Sequence, residues 1–261
     1  MFENVNPKKY LGQHFLIDEN ISKKIVNSVD YSKYNKIIEI GPGRGALTKY
    51  IINQGEKLSL VEIDNDSVNY LKEIFSDQDL DIIEKDFLRL KFEKEFHGFE
   101  KILIFGNFPY NISSQIIFKV LDNYKVIDGL TGMFQKEVAE RIVSKPNNKN
   151  YGILSVKTQL YYDVEILFDI SPNVFFPKPK VKSSIIKMVK KNNPKLNCNL
   201  TLLDTIIKLS FQQRRKKIRN SLKRLVINEN ILEDSIFDLR PEQLSVNDFV
   251  RLTQKISNEP I

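Results

Sequence analysis

The segment KIIEIGPGRG, residues 36–45, is the clearest indication of fold class in this sequence. Its first five residues are mostly apolar and predict a buried β-strand that ends at Gly41. Glycines at this point let the backbone approach a ligand closely, and the helix expected over residues 46–53 would present unpaired N–H groups at its start. The order of strand, glycine loop and helix is typical of the first unit of a parallel α/β sheet.

The alternation of short apolar runs with helical patterns continues along the chain. Further strands are predicted over residues 58–63, 81–84, 101–105 and 131–135. Further helices are predicted over residues 67–75, 113–123 (with Ser113 as N-cap) and 136–144. Residues 153–167 and 183–189 are rich in β-forming side chains and could close the sheet as an antiparallel pair. The sequence therefore predicts an α/β fold, a Rossmann-like and largely parallel sheet with helices on both faces.

The pattern changes after Asn192-Asn193-Pro194. Beyond about residue 200 the apolar positions follow a helical period, and a basic helix is predicted over residues 211–225. Its apolar stripe consists of Phe211, Ile218, Leu222 and Leu225. We therefore expect two domains, a catalytic α/β domain over residues 1–192 and a small all-helical domain over residues 193–261.

Positive charge is concentrated in the C-terminal half of the chain. The net charge is +7, yet residues 170–228 hold fifteen Lys/Arg and a single acid, whereas the rest holds 25 basic and 32 acidic residues. Clustered cations gain counterion-release entropy on binding phosphates, so this segment predicts a polyanionic partner. The candidate nucleic-acid contacts are the cations of the predicted basic helix: Arg214, Arg215, Lys216, Lys217, Arg219, Lys223 and Arg224.

Composition excludes several classes of function. One cysteine, Cys198, and two histidines, His14 and His97, do not make a typical zinc site, so no metal is expected. No apolar run follows a basic N-terminal stretch, and residues 102–118 include Gly, Pro, Asn and Gln, so neither a secretory signal nor a membrane span is predicted. We expect a cytoplasmic monomer that does not bind a membrane.

Two acids follow the next predicted strands. Glu62 comes 21 residues after Gly41, the distance at which a carboxylate can take the ribose hydroxyls of an adenine nucleoside, and Asp86 stands where it could accept from the adenine amine. Together with Gly41 and Gly43 they predict a pocket for a nucleoside cofactor. Because Gly41, Gly43 and Ala46 also satisfy the G-x-G-x-x-A fingerprint, a nicotinamide-dependent dehydrogenase stays open at this point.

The tetrapeptide Asn107-Phe108-Pro109-Tyr110 follows another predicted strand. Adenine N6 is a poor nucleophile because its lone pair is delocalised into the ring, so a catalyst must accept hydrogen bonds from that amine. The Asn107 side-chain oxygen and the Phe108 carbonyl, aimed by Pro109, can be the acceptors, and Tyr110 offers a face on which an extruded base can stack. With a sulfonium methyl donor no general base is needed. The tetrapeptide favours adenine methylation over hydride transfer.

The chain resembles the KsgA-type ribosomal small-subunit RNA adenine dimethyltransferases over nearly its whole length. The segments that carry the likeness are LGQHFL (11–16), EIGPG (39–43), GNFPYNIS (106–113), FQKEV (134–138), FFPKPKV (175–181) and FQQRRK (211–216). The resemblance implies a class I methyltransferase domain with S-adenosylmethionine as methyl donor. It implies as substrate two adjacent adenines near the 3′ end of 16S-type rRNA, within the small ribosomal subunit or its precursor.

The resemblance also implies residue roles. Around the cofactor it puts His14, Leu16, Gly41, Glu62, Asp86 and Asn107. Around the target base it puts Asn107, Pro109, Tyr110 and Phe175. We expect Phe175 to form a stacking wall on an exposed, proline-stiffened loop, and the seven cations to contact the rRNA backbone. This chain departs from the family at His14, usually Asn, at Phe108, usually Leu or Ile, and at Lys178, commonly Pro.

Two further functions stay open on sequence alone. One is the related large-subunit methyltransferase that confers macrolide resistance; the loop Gly41-Pro42-Gly43 and the segment Asn111-Ile112-Ser113 favour the small-subunit branch. The other is a binding protein that uses the same fold to assist ribosome assembly or transcription. The intact Asn107 and Tyr110 favour catalysis.

Overall fold

The computed structural model describes residues 5–192, 196–225 and 229–257. Within these ranges the strands are β1 (Phe15–Leu16), β2 (Lys36–Ile40), β3 (Leu58–Glu62), β4 (Asp81–Glu84), β5 (Ile102–Asn107), β6 (Ile127–Gln135), β7 (Tyr162–Ile170), β8 (Phe175–Phe176) and β9 (Ser183–Lys190). The α-helices are α1 (Glu19–Asn27), α2 (Thr48–Ile51), α3 (Asn65–Ile74), α4 (Phe92–Glu95), α5 (Ser113–Asp122), α6 (Lys136–Val143), α7 (Ile153–Tyr161), α8 (Leu200–Gln212), α9 (Ile218–Leu222) and α10 (Val246–Ser257).

Seven strands form one mixed sheet in the order β4-β3-β2-β5-β6-β9-β7, and β1 pairs with β8 separately. Strands β2 to β6 run parallel, and β9 runs antiparallel to β6. The chain leaves β2 toward β3 on one side and continues through β5 and β6 on the other. The carboxyl ends of β2 and β5 therefore flank a topological switch point, where ligands of open α/β sheets bind. The predicted α/β class, with helices on both sides of the sheet, is confirmed.

The parallel strands follow the sequence closely, whereas the helix after the glycine loop does not. Strands β2 and β4 occupy the predicted residues, but α2 begins at Thr48, two residues later than predicted. Gly43 and Gly45 have φ of 55° and 73°, outside the right-handed helical region, so the helix starts only after them. Ser113 is the first residue of α5 rather than its N-cap, and its Oγ donates to the Tyr110 carbonyl at 3.2 Å.

The prediction of β-structure throughout residues 153–167 is wrong for its first nine residues. Residues 153–161 form α7, and only β7 continues as a strand at the sheet edge. Val156 and Leu160, four residues apart, lie on one helix face and are buried. They pack in a helical core with residues such as Leu203. Tertiary packing thus overrides the β-forming composition of this segment.

The described residues divide into two compact units. The first runs to Ala139 and resumes over Val164–Lys190; the second comprises Glu140–Asp163 and the chain from Lys191 onward. The second of the two divisions, between Lys190 and Lys191, lies two residues before the expected domain boundary after residue 192. Residues 140–163, assigned by sequence to the first domain, belong to the second unit because α7 packs with α8 and α10.

Each unit has its own apolar core. In the first, side chains of the parallel strands, among them Ile37, Leu60 and Phe105, are fully buried. In the second, Ile206, Ile207 and Phe249 are buried to the same degree. Burial of one such side chain contributes about 1.5–3 kcal/mol, so each core can stabilise its unit. Among the described residues, no helix is both long and apolar enough to cross a membrane.

Candidate active site

A pocket opens at the carboxyl edge of the parallel strands. The residues that follow or end β2, β3, β4 and β5 line it, together with the N-terminal segment before α1. It brings together every candidate cofactor residue from the sequence, namely His14, Leu16, Gly41, Gly43, Glu62, Asp86 and Asn107. It also contains Phe108, Pro109 and Tyr110. The switch point of the sheet thus gathers side chains that lie more than 90 residues apart in the chain.

The glycine loop wraps around the carboxylate of Glu62. Besides its positive φ, Gly43 has no room for a side chain, since a Cβ there would lie 2.8 Å from Phe15 Cε1. The N–H of Gly43 donates to Glu62 Oε2 at 3.1 Å, and the N–H groups of Ile63 and Asp64 donate to Oε1 at 2.9 Å. Burial raises the pKa of Glu62, and these backbone hydrogen bonds oppose the rise. Oε2 keeps an acceptor position for a ligand hydroxyl.

A second carboxyl group, Glu39, lies at the pocket wall near the end of β2. It is 1% exposed, and Thr48 Oγ1 donates to its Oε2 at 2.8 Å. Burial raises the pKa of Glu39 to about 8, and the nearby charge of Glu62 adds to the rise. The folded protein therefore favours the protonated acid at this position.

Polar contacts fix the N-terminal segment beside the pocket. Lys8 forms an ion pair with the buried Asp64, and Gln13 Nε2 donates to Asp64 Oδ2 at 3.0 Å. Although burial opposes it, these bonds lower the pKa of Asp64. Arg44 lies over the Phe15 ring, 4.5 Å from its centroid, and donates to the carbonyl of Val5. The segment that carries His14 is thus attached directly to the strand ends.

Asn107 ends β5 and faces the N-terminal segment. Its Nδ2 donates to the carbonyl oxygen of His14 at 2.9 Å. A carbonyl can only accept, so the amide nitrogen points to His14 and Oδ1 is left to accept from a ligand. Among the described residues, none donates to Oδ1 of Asn107 or to the carbonyl of Phe108. Two acceptors are therefore available in neighbouring residues at the pocket wall.

The ring of Phe108 is buried against β6. It meets Phe134 edge to face, with centroids 5.1 Å apart, and it occupies the space over Gly132. A Cβ on Gly132 would lie 2.2 Å from the Phe108 ring. The larger side chain that this sequence carries in its tetrapeptide is therefore matched by a glycine on the neighbouring strand.

Tyr110 is held from two sides. Its hydroxyl shares a 2.5 Å hydrogen bond with Ser183 Oγ at the start of β9. The His14 ring lies 5.2 Å from the Tyr110 ring at 33°, and His14 Nδ1–H donates to the Pro177 carbonyl at 2.6 Å. Burial raises the pKa of Tyr110, so the phenol is neutral near pH 7. These contacts fix the ring at the pocket wall.

Phe175 does not lie on an exposed loop as expected. It is 3% exposed, packs in the core of the first unit, and pairs with Leu16 through β1 and β8. Its neighbour Phe176 is 52% exposed, because successive side chains of a strand point to opposite sides. Phe175 is not among the residues that line the pocket. The exposed ring of this segment is Phe176.

Sequence reasoning missed several residues that shape the site. Asp64, Lys8 and Gln13 attach the N-terminal segment, and Ser183 holds Tyr110. Two of these residues had a weak local signal in the sequence: Gln13 belongs to the segment LGQHFL, and Asp64 comes two residues after Glu62. The pairings themselves join residues 51 to 73 positions apart. No local pattern reveals such contacts.

The basic helix predicted over residues 211–225 is wrong as a single helix. Helix α8 ends at Gln212, residues 213–217 form a turn, and α9 begins at Ile218. Ile218 and Leu222 are buried, as the predicted apolar stripe requires. The candidate cations therefore lie on the turn before α9 (Arg214 to Lys217), on α9 itself (Arg219) and on the turn after it (Lys223 and Arg224).

Acids from outside the basic segment pair with three of its seven cations. Glu242 lies 3.6 Å from Arg214, and Asp238 lies 2.9 Å from both Lys217 and Arg219. The remaining four cations are exposed and form no ion pair within the described part of the chain: Arg215, Lys216, Lys223 and Arg224. Of the seven candidate cations, these four are the ones that no carboxylate of the described residues pairs with.

No group of three or more His, Cys, Asp or Glu side chains suited to a metal ion occurs among the described residues. The expectation of no metal stays a prediction.

Comparisons with known proteins agree on one family. A family model described as ribosomal RNA adenine dimethylase matches residues 4–258. A Flavobacterium johnsoniae protein named ribosomal RNA small subunit methyltransferase A is 49% identical over 259 residues, 99% of each chain. A protein of that name from Phocaeicola vulgatus is 49% identical over 253 residues, 97% of this chain and 90% of its own.

Solved structures agree on the fold. A dimethyladenosine transferase from Plasmodium falciparum superposes with a TM-score of 0.81 at 25% identity, covering 94% of this chain and 98% of its own. The 23S rRNA methyltransferase ErmE superposes with a TM-score of 0.69 at 24% identity, covering 92% of this chain and 99% of its own. The second likeness concerns the fold alone.

Replacing Glu39 by Gln should change how stability depends on pH. The folded pKa of about 8 exceeds the ordinary 4.5, so the stabilising contribution of the protonated acid is complete below 4.5 and is lost as pH rises through 8. Gln can still accept from Thr48 and carries no charge. Between about pH 5 and pH 8, the free energy of unfolding of Glu39→Gln should rise relative to that of the parent protein by up to about 1.4 kcal/mol per pH unit. Urea unfolding at several pH values measures this difference. A pH-independent difference would contradict this.

Adding a methyl group at Gly132 should destabilise the first unit. The new Cβ meets the buried Phe108 ring and the Gly106 carbonyl, so Gly132→Ala is expected to lower the free energy of unfolding by about 1–3 kcal/mol. The double variant Gly132→Ala/Phe108→Leu should recover part of that loss because the smaller side chain makes room. Thermal and urea unfolding check both; unchanged stability of Gly132→Ala would show that the packing is looser than described.

Proposed function

This chain belongs to the ribosomal RNA adenine dimethylase family, and we propose that it transfers two methyl groups to N6 of each of two adjacent adenosines near the 3′ end of small-subunit rRNA. The methyl donor is S-adenosylmethionine, and the substrate is the small ribosomal subunit or its precursor. The names of the relatives that match over the full chain support this choice of subunit. The observation that carries the proposal is the pair of available acceptors, Asn107 Oδ1 and the Phe108 carbonyl, at the pocket wall.

The residues present fit the cofactor. A Cβ on Gly41 would meet only Pro109, at 3.8 Å, so the loop leaves open space above its backbone. Glu62 keeps an acceptor position for a ribose hydroxyl. The Asp86 carboxylate accepts from the Leu88 N–H at 2.9 Å and has further acceptor capacity for the adenine amine. When bound, S-adenosylmethionine supplies an electrophilic methyl group on a sulfonium.

Catalysis requires two hydrogen-bond acceptors and an adenine ring held in a fixed position. Asn107 Oδ1 and the Phe108 carbonyl accept from the target N6, which draws its lone pair out of conjugation with the ring. Tyr110, fixed by Ser183 and His14, offers its face to the base. The alkylated nitrogen carries a positive charge and loses its proton to water, so no side chain needs to act as base. Orientation and the acceptors account for the rate.

The second unit supplies contacts to the rRNA backbone. Arg215, Lys216, Lys223 and Arg224 are exposed and form no ion pair within the described residues. Such cations fix the position of the RNA through its phosphates and do not read its sequence. Arg214, Lys217 and Arg219 contribute less, because carboxylates already lie beside them.

Purified subunits separate this function from its alternatives. Transfer of labelled methyl groups to unmethylated small subunits, and not to large ones, supports the proposal; transfer to large subunits instead would support the macrolide-resistance alternative. Calorimetry with S-adenosylmethionine and with NAD tests the dehydrogenase. Binding of small subunits without any transfer would identify an assembly protein.

Asn107→Ala should abolish transfer without preventing subunit binding. Loss of one of the two acceptors is expected to lower kcat by at least about 100-fold, the scale observed for removal of a transition-state hydrogen bond. Single-turnover methylation of unmethylated small subunits measures the rate. Asn123→Ala is the matched control, since Asn123 follows α5 near the amino end of β6 and does not line the pocket. Wild-type turnover in Asn107→Ala would overturn the mechanism.

Replacing Arg215, Lys216, Lys223 and Arg224 by Gln should weaken subunit binding and flatten its salt dependence. For every phosphate that the variant no longer neutralises, the slope of log K against log salt concentration should fall by about 0.7–0.9. Filter binding at several salt concentrations measures it. Lys217→Gln serves as control, because Lys217 Nζ already pairs with Asp238 at 2.9 Å. Equal slopes for the fourfold variant and the parent would exclude these residues as phosphate ligands.

A further inference from the structure

Two large aromatic side chains lie exposed on segments that border the pocket. Tyr10 is 75% exposed, and Phe176 is 52% exposed. Aromatic rings normally bury most of their area, so two such rings near one site indicate a surface that a ligand covers. Neither residue takes part in the chemistry described above.

The backbone that carries each ring is bonded to residues that line the pocket. The Tyr10 carbonyl accepts from Asn111 Nδ2 at 3.3 Å, and the residue after Tyr10 lines the pocket itself. Phe176 pairs with the pocket residue Phe15 through β1 and β8, and the residue after it, Pro177, accepts from His14. The two rings therefore stand beside the pocket on segments fixed to its wall.

The surroundings of these rings are basic. Residues 5–16 and 171–183 contain five lysines and no Asp or Glu. Lys8 pairs with Asp64, whereas the others are exposed and form no salt bridge in the part of the chain that the structure describes: Lys9, Lys178, Lys180 and Lys182. Exposed cations that form no salt bridge repel other cations and attract phosphates.

Rings interleaved with cations match single-stranded RNA. Every base has a π-face that stacks on an aromatic side chain, while the lysines meet the backbone. We propose that Tyr10 and Phe176 form a stacking surface, here called the Tyr10–Phe176 surface, for unpaired nucleotides that flank the target adenosine. This inference rests on the proposed function and extends it from the reacting base to its neighbours.

The absence of tryptophan from the chain allows a direct test. Tyr10→Trp and Phe176→Trp each carry a single tryptophan at the surface, which is excited selectively at about 295 nm over the tyrosines, and Ile74→Trp carries one at an exposed apolar position of α3 that does not line the pocket. Fluorescence is titrated with a short oligoadenylate, with duplex RNA and with unmethylated small subunits. Oligoadenylate and subunits should quench the emission at positions 10 and 176 and leave position 74 unchanged; duplex RNA should have little effect at all three.

Kinetics supply the second readout. Tyr10→Ala and Phe176→Ala should each raise KM for small subunits about tenfold at nearly unchanged kcat, as expected when a base stack is removed. Tyr10→Phe keeps the ring and should retain the wild-type KM. A merely structural role would lower stability and kcat, and would not be rescued in this pattern.

The outcomes separate the inference from the proposed function. Absence of quenching at positions 10 and 176 by oligoadenylate and by subunits overturns the stacking surface, whether or not the parent protein methylates. Quenching by single-stranded RNA in a protein that transfers no methyl group supports the stacking surface and overturns the proposed function. Equal quenching by duplex RNA, or at position 74, shows a non-specific electrostatic contact and also overturns the inference.

Discussion

The side-chain amide of Asn107 can face only one way, because its nitrogen donates to the carbonyl of His14 and a carbonyl cannot donate in return. That constraint fixes the acceptor oxygen at the pocket wall beside the Phe108 carbonyl. It also links the end of β5 to the N-terminal segment, which Lys8 attaches to Asp64 beyond the end of β3. One hydrogen bond thus joins Asn107, a proposed base-binding residue, to the N-terminal segment that lines the pocket.

Much of the site could be predicted because its residues follow strands that are recognisable locally. A nucleoside pocket is predicted by spacing alone from the apolar run of β2, the glycines after it, and Glu62 at the end of β3. What holds these groups in place could not be predicted, since the hydroxyl that pairs with Tyr110 and the carbonyl that accepts from Asn107 lie 73 and 93 residues away from them in the chain. Phe175 shows the same limit: a proline-rich context suggested exposure, whereas pairing with Leu16 buries it.

Charge shows a related difference between sequence and structure. Residues 211–225 contain no acid, yet Asp238 and Glu242 lie beside three of their cations in the folded chain. In the first unit the carboxyl groups of Glu39 and Glu62 are buried, and burial raises the pKa of both. Counting charges along the chain therefore identifies the kind of partner, whereas the folded structure decides which charges can meet it.

A crystal structure of the chain with an S-adenosylmethionine analogue that cannot transfer its methyl group, and with an RNA oligonucleotide carrying the target adenosine, tests this arrangement most directly. The adenine N6 is expected within about 3.2 Å of both Asn107 Oδ1 and the Phe108 carbonyl oxygen, with Asn107 Nδ2 still donating to His14. An adenine whose N6 points away from both oxygens, in a pocket that holds the analogue, would contradict it.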